Sequence, residues 1–257
     1  MRKLLLTRLL AIGLFATTSL GLMTGVAHAV PVDLELSLLL DVSSSVNTTE
    51  FNLQRQGYID AFNSSALHTA LQNGALDSIA VNFVYWSSSG SQQQAIGWTL
   101  INDSTTAEAF ADAILATSRP FSGTTAPGSA VNFAVPLFDN NGFEGTRKVI
   151  DVSGDGVENS GADTSDARDA ADAAGFTING IAIESQSVLD FYNSDLITSD
   201  GFALFATDFN TFGDAILDKL VTEVGPPPDP EPGVVPEPTT LGLLAFGLGM
   251  MKFRRKS

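Results

Sequence analysis

Short apolar segments alternate along this chain with segments of helical periodicity. The first apolar segment, Leu34–Leu40, is broken only by Glu35 and Ser37, as in a strand that is largely buried. A helical pattern follows over residues 48–63, and Ile79–Trp86 is a second apolar run of strand length. Strands separated by helices are typical of an α/β fold.

The same alternation continues to residue 224. Further strands are predicted at Ala95–Ile101, Arg147–Val152, Phe176–Ile183 and Phe202–Ala206. Further helices are predicted around Ala107, Phe110, Ala111 and Ile114, from Pro127, over Ser165–Ala174, and around Phe209, Phe212, Ile216 and Leu220. We expect a doubly wound, mostly parallel central sheet with helices on both faces. After a turn over Ser87–Gln94, the strand Ala95–Ile101 is expected to return antiparallel at the sheet edge.

The first 29 residues have the layout of a secretory signal peptide. Three basic residues precede an apolar run from Leu9 to Val26, which ends at Ala27-His28-Ala29. The small residues Ala27 and Ala29 suit a signal peptidase. We therefore expect residues 1–29 to be removed and the mature chain to begin near Val30. A retained membrane anchor is the alternative interpretation.

The other end of the chain carries a second targeting pattern. A Pro-rich linker over residues 225–235 precedes the motif Pro236-Glu-Pro238, the apolar segment Thr239–Met251 and a basic cluster over 252–256. This order resembles the PEP-CTERM protein-sorting tail, here residues 236–257. The resemblance implies transient membrane association through the tail and cleavage by an exosortase near the Pro-Glu-Pro motif. A permanent tail anchor is the alternative, because length alone does not separate the two.

Charge narrows the classes of partner. The chain has 29 acidic and 13 basic residues, and only Glu237 of the acidic ones lies outside residues 30–235. That span is therefore strongly acidic and repels phosphate backbones, which excludes nucleic-acid binding. It contains no cysteine, so disulfides, thiolate zinc sites and cysteine nucleophiles are excluded as well.

Directly after the first predicted strand stands Asp41-Val-Ser-Ser-Ser45. Alternate positions place one carboxylate and two hydroxyls on one side of a loop, and these hard oxygens suit Mg²⁺ or Mn²⁺. The segment resembles the metal-ion-dependent adhesion site of von Willebrand factor A (VWA) and integrin I domains. In isolation the same five residues also fit a Ser-rich helix cap.

Two further parts of that family pattern occur later, in the expected order. They are a threonine in Ser122-Gly-Thr-Thr-Ala126, best matched by Thr125 with Thr124 as the alternative register, and Asp155 after the Arg147–Val152 strand. The resemblance implies that Ser43, Ser45 and Thr125 bind the cation directly or nearly so, and that Asp41 and Asp155 hold it through water. It also implies an open coordination position that an acidic group of a protein or matrix partner fills.

The resemblance extends from about Val32 to Val224, and we interpret residues 30–224 as one VWA-like domain. More narrowly, Asp41–Val46, Phe51–Arg55 and Val149–Gly156 look like a bacterial VWA-like family whose function is uncharacterised. We therefore expect an exported, surface- or matrix-associated protein that binds a divalent cation, Mg²⁺ or Mn²⁺ rather than Ca²⁺, and through it a partner carboxylate. Adhesion is expected rather than catalysis.

Two other chemistries compete for the same residues. Asp151-Val-Ser-Gly-Asp-Gly156 resembles the start of a calcium loop, but Ala162 stands where such a loop needs a bidentate Glu. A metal-dependent phosphoesterase using the adhesion-type site is the main alternative function, although no phosphate-binding Gly-rich loop with its lysine accompanies it. His68, the one histidine between the predicted tails, is expected at the surface rather than as a general base.

The roles of two further features stay open. Tyr85, Trp86 and Trp98 flank the predicted edge hairpin and either pack in the core or form a sugar-stacking surface, with core packing favoured. Asp151 is an acidic residue inside an otherwise apolar strand, and the sequence gives it no assigned part.

Overall fold

The computed structural model describes residues 28–226, and its core is a six-stranded sheet. The strands, in chain order, are β1 (Val30–Val32), β2 (Leu34–Asp41), β3 (Ile79–Trp86), β4 (Gln92–Ile101), β5 (Phe143–Gly145), β6 (Lys148–Gly154), β7 (Thr177–Ile183) and β8 (Ala203–Ala206). The central sheet has the order β4-β3-β2-β6-β7-β8. All neighbours in it are parallel except β3 and β4, which confirms the predicted sheet and its antiparallel edge.

Helices cover both faces of this sheet. They are α1 (Thr48–Phe62), α2 (Ser65–Leu71), α3 (Ser104–Leu115), α4 (Pro127–Ala134), α5 (Thr164–Ala173), α6 (Gln186–Phe191) and α7 (Phe212–Val224). The helices α1, α2, α3 and α7 bury their apolar residues in one core, and α4, α5 and α6 bury theirs in a second core on the other face. The doubly wound architecture expected from the sequence is therefore confirmed.

Strand β2 shows why the sheet forms two cores. Its leucines at even positions, from Leu34 to Leu40, pack with α1 and α7, whereas Leu39 packs in the opposite core. All eight residues of the strand are buried, as expected for a central strand with helices on both faces. The odd-numbered face ends in Asp41, so the same periodicity that fills the core delivers a carboxylate to the sheet edge.

The main departure from prediction is at the edge strand. Strand β4 begins at Gln92 rather than Ala95, because Gln92, Gln93 and Gln94 pair with the end of β3. Edge strands expose one side to water, so polar residues are accommodated there without cost. Additional short elements were not predicted: α6, the two-stranded parallel pair β1–β5, and a π-helical turn over Tyr192–Leu196.

The aromatic residues near the edge hairpin belong to the core. Tyr85 and Trp86 are fully buried, and Trp98 packs edge-on against Phe138 and donates its indole N–H to the carbonyl of Leu137 at 2.7 Å. The favoured core-packing interpretation is confirmed. His68 is half-buried, with its Nε2 2.7 Å from the carbonyl of Phe62.

The two predicted targeting segments and the linker before the second fall almost entirely outside the described residues. These are the signal peptide over 1–29, the linker over 225–235 and the sorting tail over 236–257. Among the residues that are described, no helix is both long and apolar enough to cross a membrane.

Candidate metal centre

The candidate site lies where β2 and β6 end side by side. These strands are parallel neighbours with Leu40 opposite Ser153, so Asp41 reaches the sheet edge next to Gly154. The loops that follow the two strands therefore start from adjacent points. This is the edge at which open α/β sheets bind their ligands.

A chain of hydrogen bonds joins the first loop to the second. The Ser43 hydroxyl lies 3.0 Å from that of Ser45, and the Ser45 hydroxyl donates to Asp155 Oδ1 at 2.7 Å. The backbone N–H of Ser43 donates to Asp41 Oδ1 at 2.7 Å. Four of the five predicted site residues are thus gathered around one small region, although Ser45 and Asp155 are 110 residues apart.

The fifth residue, Thr125, is buried against the backbone beside Asp155. A Cβ placed on Gly156 would lie 3.2 Å from the Thr125 Oγ1, so the threonine packs closely against this glycine. The neighbouring Thr124 is exposed and its hydroxyl lies 2.6 Å from that of Ser160, away from the cluster. Of the two registers left open by the sequence, the geometry favours Thr125.

The threonine loop is held by its backbone. The N–H of Thr125 donates to the Asn159 side chain at 2.9 Å, and the N–H of Asn159 donates to the Thr125 carbonyl at 3.0 Å. Ser44 N–H donates to the Gly123 carbonyl at 2.8 Å, which ties the first loop to this one. All three loops are therefore connected to one another before any ligand binds.

Electrostatically, the site is acidic and desolvated. Asp41 is fully buried, and burial together with the nearby Asp155 charge raises its pKa to about 7. Burial also raises the pKa of Asp155. Neither carboxylate forms an ion pair with any residue in the described range. Arg119 lies close enough to lower the pKa of Asp41 slightly, but its guanidinium donates to the carbonyls of Val42 and Ser43.

These residues fit a hard divalent cation. The Asp41 Oδ2 atom is buried and has no hydrogen-bond partner among the described residues, which is costly for a carboxylate unless a cation or donor is supplied. Hydroxyl and carboxylate oxygens are the donors that Mg²⁺ and Mn²⁺ prefer. No group of three or more His, Cys, Asp or Glu side chains within residues 28–226 is placed to hold a metal, so hydroxyls are needed to complete any site here.

The position of Asp151 contradicts the calcium-loop alternative. This residue lies within β6, fully buried, and pairs with the ammonium of Lys219 at 2.7 Å. Lys219 also contacts Glu223, which accepts a hydrogen bond from Asn179 at 2.7 Å. Asp151 therefore belongs to an internal ion cluster, and the nearby acids Glu158 and Asp163 bond to the first turn of α5.

Sequence reasoning missed two residues close to these acids. Lys219 lies on α7, where a polar residue is usually expected on the solvated face of the helix. Its position four residues before Glu223 is nevertheless the spacing of an ion pair on a helix. Tyr192 lies beside Asp41, and its hydroxyl is buried with no partner in the described part of the chain. No motif contains Tyr192, because it is brought to the site only by the packing of α6 against the sheet.

Solved structures with the same fold support the architecture. Proximal thread matrix protein 1 (PTMP1) from the mussel byssus matches with TM-score 0.59 and 17% identity over 76% of this chain and 48% of its own. A second PTMP1 structure, with a zinc-occupied metal-ion-dependent adhesion site (MIDAS) motif, has TM-score 0.53 and 16% identity over 76% of this chain and 46% of its own.

Two bacterial structures match over the same share of this chain. The pilus adhesin SpaC from Lactobacillus rhamnosus GG has TM-score 0.55, 14% identity and coverages of 76% and 30%. The von Willebrand factor type A structure from Catenulispora acidiphila has TM-score 0.53, 15% identity and coverages of 76% and 43%. This chain spans less than half the length of each neighbour, and the likeness establishes an α/β fold of the VWA type.

Family models match both the domain and the tail. No curated protein matches the sequence. The PEP-CTERM protein-sorting motif matches residues 234–256, and such a motif implies export and processing by an exosortase at the membrane. The model described as "Protein of unknown function (DUF1194)" matches residues 31–228. The chain is therefore a member of the DUF1194 family that carries a PEP-CTERM sorting motif.

Proposed function

We propose that this exported protein binds a divalent cation, Mg²⁺ or Mn²⁺, and uses it to hold a carboxylate of a partner at the cell surface or in the extracellular matrix. The proposed ligands, directly or through water, are Asp41, Ser43, Ser45, Thr125 and Asp155. The cation would supply positive charge where two carboxylates meet and would polarise an oxygen of the incoming acidic group.

One observation carries the proposal. Asp41 is completely buried, and one of its oxygens has no hydrogen-bond partner in the described residues. A second carboxylate, that of Asp155, is linked to it through the hydrogen-bonded residues Ser43 and Ser45. Burying like charges together is unfavourable unless something compensates for them. A bound cation is the simplest compensation, and the donor set favours a hard one. Calcium is less favoured because it usually takes six to eight oxygens from a flexible cage, whereas Mg²⁺ keeps several of its own waters and needs only one or two carboxylates.

The exposed side of the site suits a partner. Ser44 and Ser45 are exposed and Asp155 is half-buried, so the cluster opens to solvent rather than into the core. The whole chain carries a formal net charge of −16, which repels an acidic partner at long range. Attraction to a carboxylate must then come from the cation, and binding should depend strictly on it.

The structural neighbours are consistent with such a role. One PTMP1 structure has zinc in its MIDAS motif, and SpaC is a pilus adhesin. At this level of identity they lend support to the proposal by analogy of fold. The PEP-CTERM motif adds a route to the cell exterior, where a matrix or surface partner would be met.

Cation-dependent retention tests this function. The protein is immobilised, exposed to an extracellular matrix extract in Mg²⁺, washed, and eluted with a chelator. We expect chelator-released material on the wild type and none on Asp41→Asn, which keeps the side-chain volume but lacks the charge. Partner material that the chelator does not release, or that is retained equally by the wild type and Asp41→Asn, would contradict the proposal.

The matched pair Ser43→Ala and Ser44→Ala refines this experiment. Ser43 is buried within the cluster, whereas Ser44 is exposed between the two proposed serine ligands. Loss of retention is expected for Ser43→Ala alone. Wild type, Asp41→Asn and Asp155→Asn assayed with a generic phosphate ester test the hydrolase alternative, for which turnover should require both aspartates.

A further inference from the structure

Tyr192 is a buried polar residue at the edge of the candidate site. It is fully buried, and its hydroxyl has no hydrogen-bond partner among the described residues. It begins the π-helical turn Tyr192–Leu196 that follows α6, a rare conformation that is found frequently at functional sites. An unpartnered buried phenol costs stability, so its persistence calls for a physical reason.

Two glycines make room for this side chain. A Cβ on Gly180 would lie 2.7 Å from the Tyr192 ring, so the ring crosses β7 only because no side chain is there. A Cβ on Gly154 would lie 2.9 Å from the Tyr192 hydroxyl and 2.8 Å from Asp41 Oδ2. The two oxygens therefore converge on the same small space above Gly154.

Both converging oxygens lack partners, and they are complementary. Asp41 Oδ2 is a buried acceptor, and the phenol is a donor. Burial, followed by the charges of Asp41, Asp155 and Asp151, raises the pKa of Tyr192 well above its ordinary value. The phenol consequently keeps its proton and remains a donor at physiological pH.

We propose that Tyr192 is a positioning residue of the metal centre, whose hydroxyl donates to Asp41 Oδ2, directly or through one water, when the cation binds. This inference rests on the proposed function. The bond would orient the Asp41 carboxylate and stabilise its charge while its partner oxygen Oδ1 accepts from Ser43. Outer partners of this kind typically change metal affinity by about 10–100-fold.

The test compares two buried tyrosines of the same chain. Tyr192→Phe removes the proposed donor, and Tyr58→Phe removes an equally buried phenol whose hydroxyl lies 3.2 Å from that of Ser153 on the opposite face of the sheet. Mn²⁺ affinity is measured by titration calorimetry. We expect Tyr192→Phe to bind Mn²⁺ about tenfold more weakly than the wild type and Tyr58→Phe to bind it as the wild type does.

Two further readouts separate positioning from a structural role. Without the cation the Tyr192 hydroxyl has no partner, so Tyr192→Phe should melt at or above the wild-type temperature. Mn²⁺ should also perturb the near-ultraviolet tyrosine absorption in the wild type and in Tyr58→Phe but not in Tyr192→Phe. The chain has only three tyrosines, which makes the signal assignable.

The outcomes are distinguishable from those of the proposed function. If the wild type binds no Mn²⁺, both proposals fail. If wild type and Tyr192→Phe bind equally well, the role of Tyr192 is overturned while the metal centre stands. A lower melting temperature of cation-free Tyr192→Phe would show that the phenol serves folding, which also overturns the inference.

Discussion

Two acidic clusters lie on either side of the same stretch of chain, and they are balanced differently. Within β6, Asp151 is buried beside Lys219, which also contacts Glu223. Just beyond the strand, Asp155 approaches Asp41 through Ser45, and no ion pair within residues 28–226 neutralises either carboxylate. In the first cluster the Lys219 ammonium balances the acidic charge. In the second, no basic side chain among the described residues pairs with either carboxylate.

This difference indicates which cluster is structural and which is open to a ligand. The Lys219 ammonium is completely buried, and it lies over the Phe202 ring at 5.5 Å from its centroid. The cluster is almost completely shielded from water, and its ion pairs join α7 to the sheet. The Asp41 cluster borders exposed serines, so an external cation can enter it. Acidic residues in β6 and its loop therefore serve two separate ends.

The largest expected effect comes from removing the buried ammonium of Lys219. Lys219→Met leaves Asp151 and Glu223 buried without positive charge, and we expect a loss of about 3–5 kcal/mol in the free energy of unfolding. Urea unfolding measures this loss. The triple variant that adds Asp151→Asn and Glu223→Gln should recover much of it, since the uncompensated charge is gone. A Lys219→Met protein as stable as the wild type would contradict the structural role.

A smaller effect is expected from supplying the missing cation to the other cluster. At a Mg²⁺ concentration 100 times Kd, the free energy of unfolding should rise by about 2.7 kcal/mol, because the cation binds only the folded chain. Asp41→Asn should gain nothing from Mg²⁺. Melting curves with and without Mg²⁺ measure both, and an equal gain in the two proteins would place the cation elsewhere.

The adjacent threonines sharpen the assignment of the site. Loss of an outer partner typically weakens metal binding by about 10–100-fold, so Thr125→Ala, which removes a proposed ligand, should weaken Mn²⁺ binding at least as much. Thr124→Ala should leave it unchanged. Thr125 is buried beside Gly156, and Thr124 is exposed beside Ser160. Titration calorimetry on the pair compares the two. The reverse pattern would show that the neighbouring register is correct.

The smallest expected effect is on pH dependence. The pKa of Asp41, raised from 3.8 to about 7 in the cation-free fold, means that the folded state holds a proton which the unfolded chain releases near pH 4. The stability that this group contributes is full below about pH 4 and is lost as pH rises through about 7. A cation needs the carboxylate, so its affinity should fall about tenfold from pH 8 to pH 6. Calorimetry at both pH values checks this, and a constant affinity would contradict it.

The sheet could be predicted because its strands are long and apolar. Leu34–Leu40 and Ile79–Trp86 lie in the centre, where burial on both faces makes the sequence continuously hydrophobic. The ends of β4 and the three-residue strands β1 and β5 could not, because edge and short strands carry little hydrophobic signal. Their positions depend on pairing with distant partners.

The candidate site was predictable only where its residues follow a motif. Asp41, Ser43 and Ser45 stand in one short segment after β2, and Asp155 follows β6, the parallel neighbour of β2. Thr125 lies in the loop between α3 and α4, so only its match to the motif marked it. Tyr192 and Lys219 reach their positions through tertiary packing, so no local pattern marks them. How the acids interact with these two residues is therefore visible only in the fold. The domain limits 30–224 and the processing of both ends remain predictions.

The most direct test of the account is to locate the cation. Crystals of residues 30–226 soaked in Mn²⁺ should give an anomalous difference peak bounded by the hydroxyls of Ser43, Ser45 and Thr125, with Asp41 and Asp155 close behind. Data from Asp41→Asn crystals, treated identically, should lack the peak. A wild-type crystal in which Mn²⁺ is absent from this edge of the sheet, or binds at another acidic cluster, would contradict the central claim.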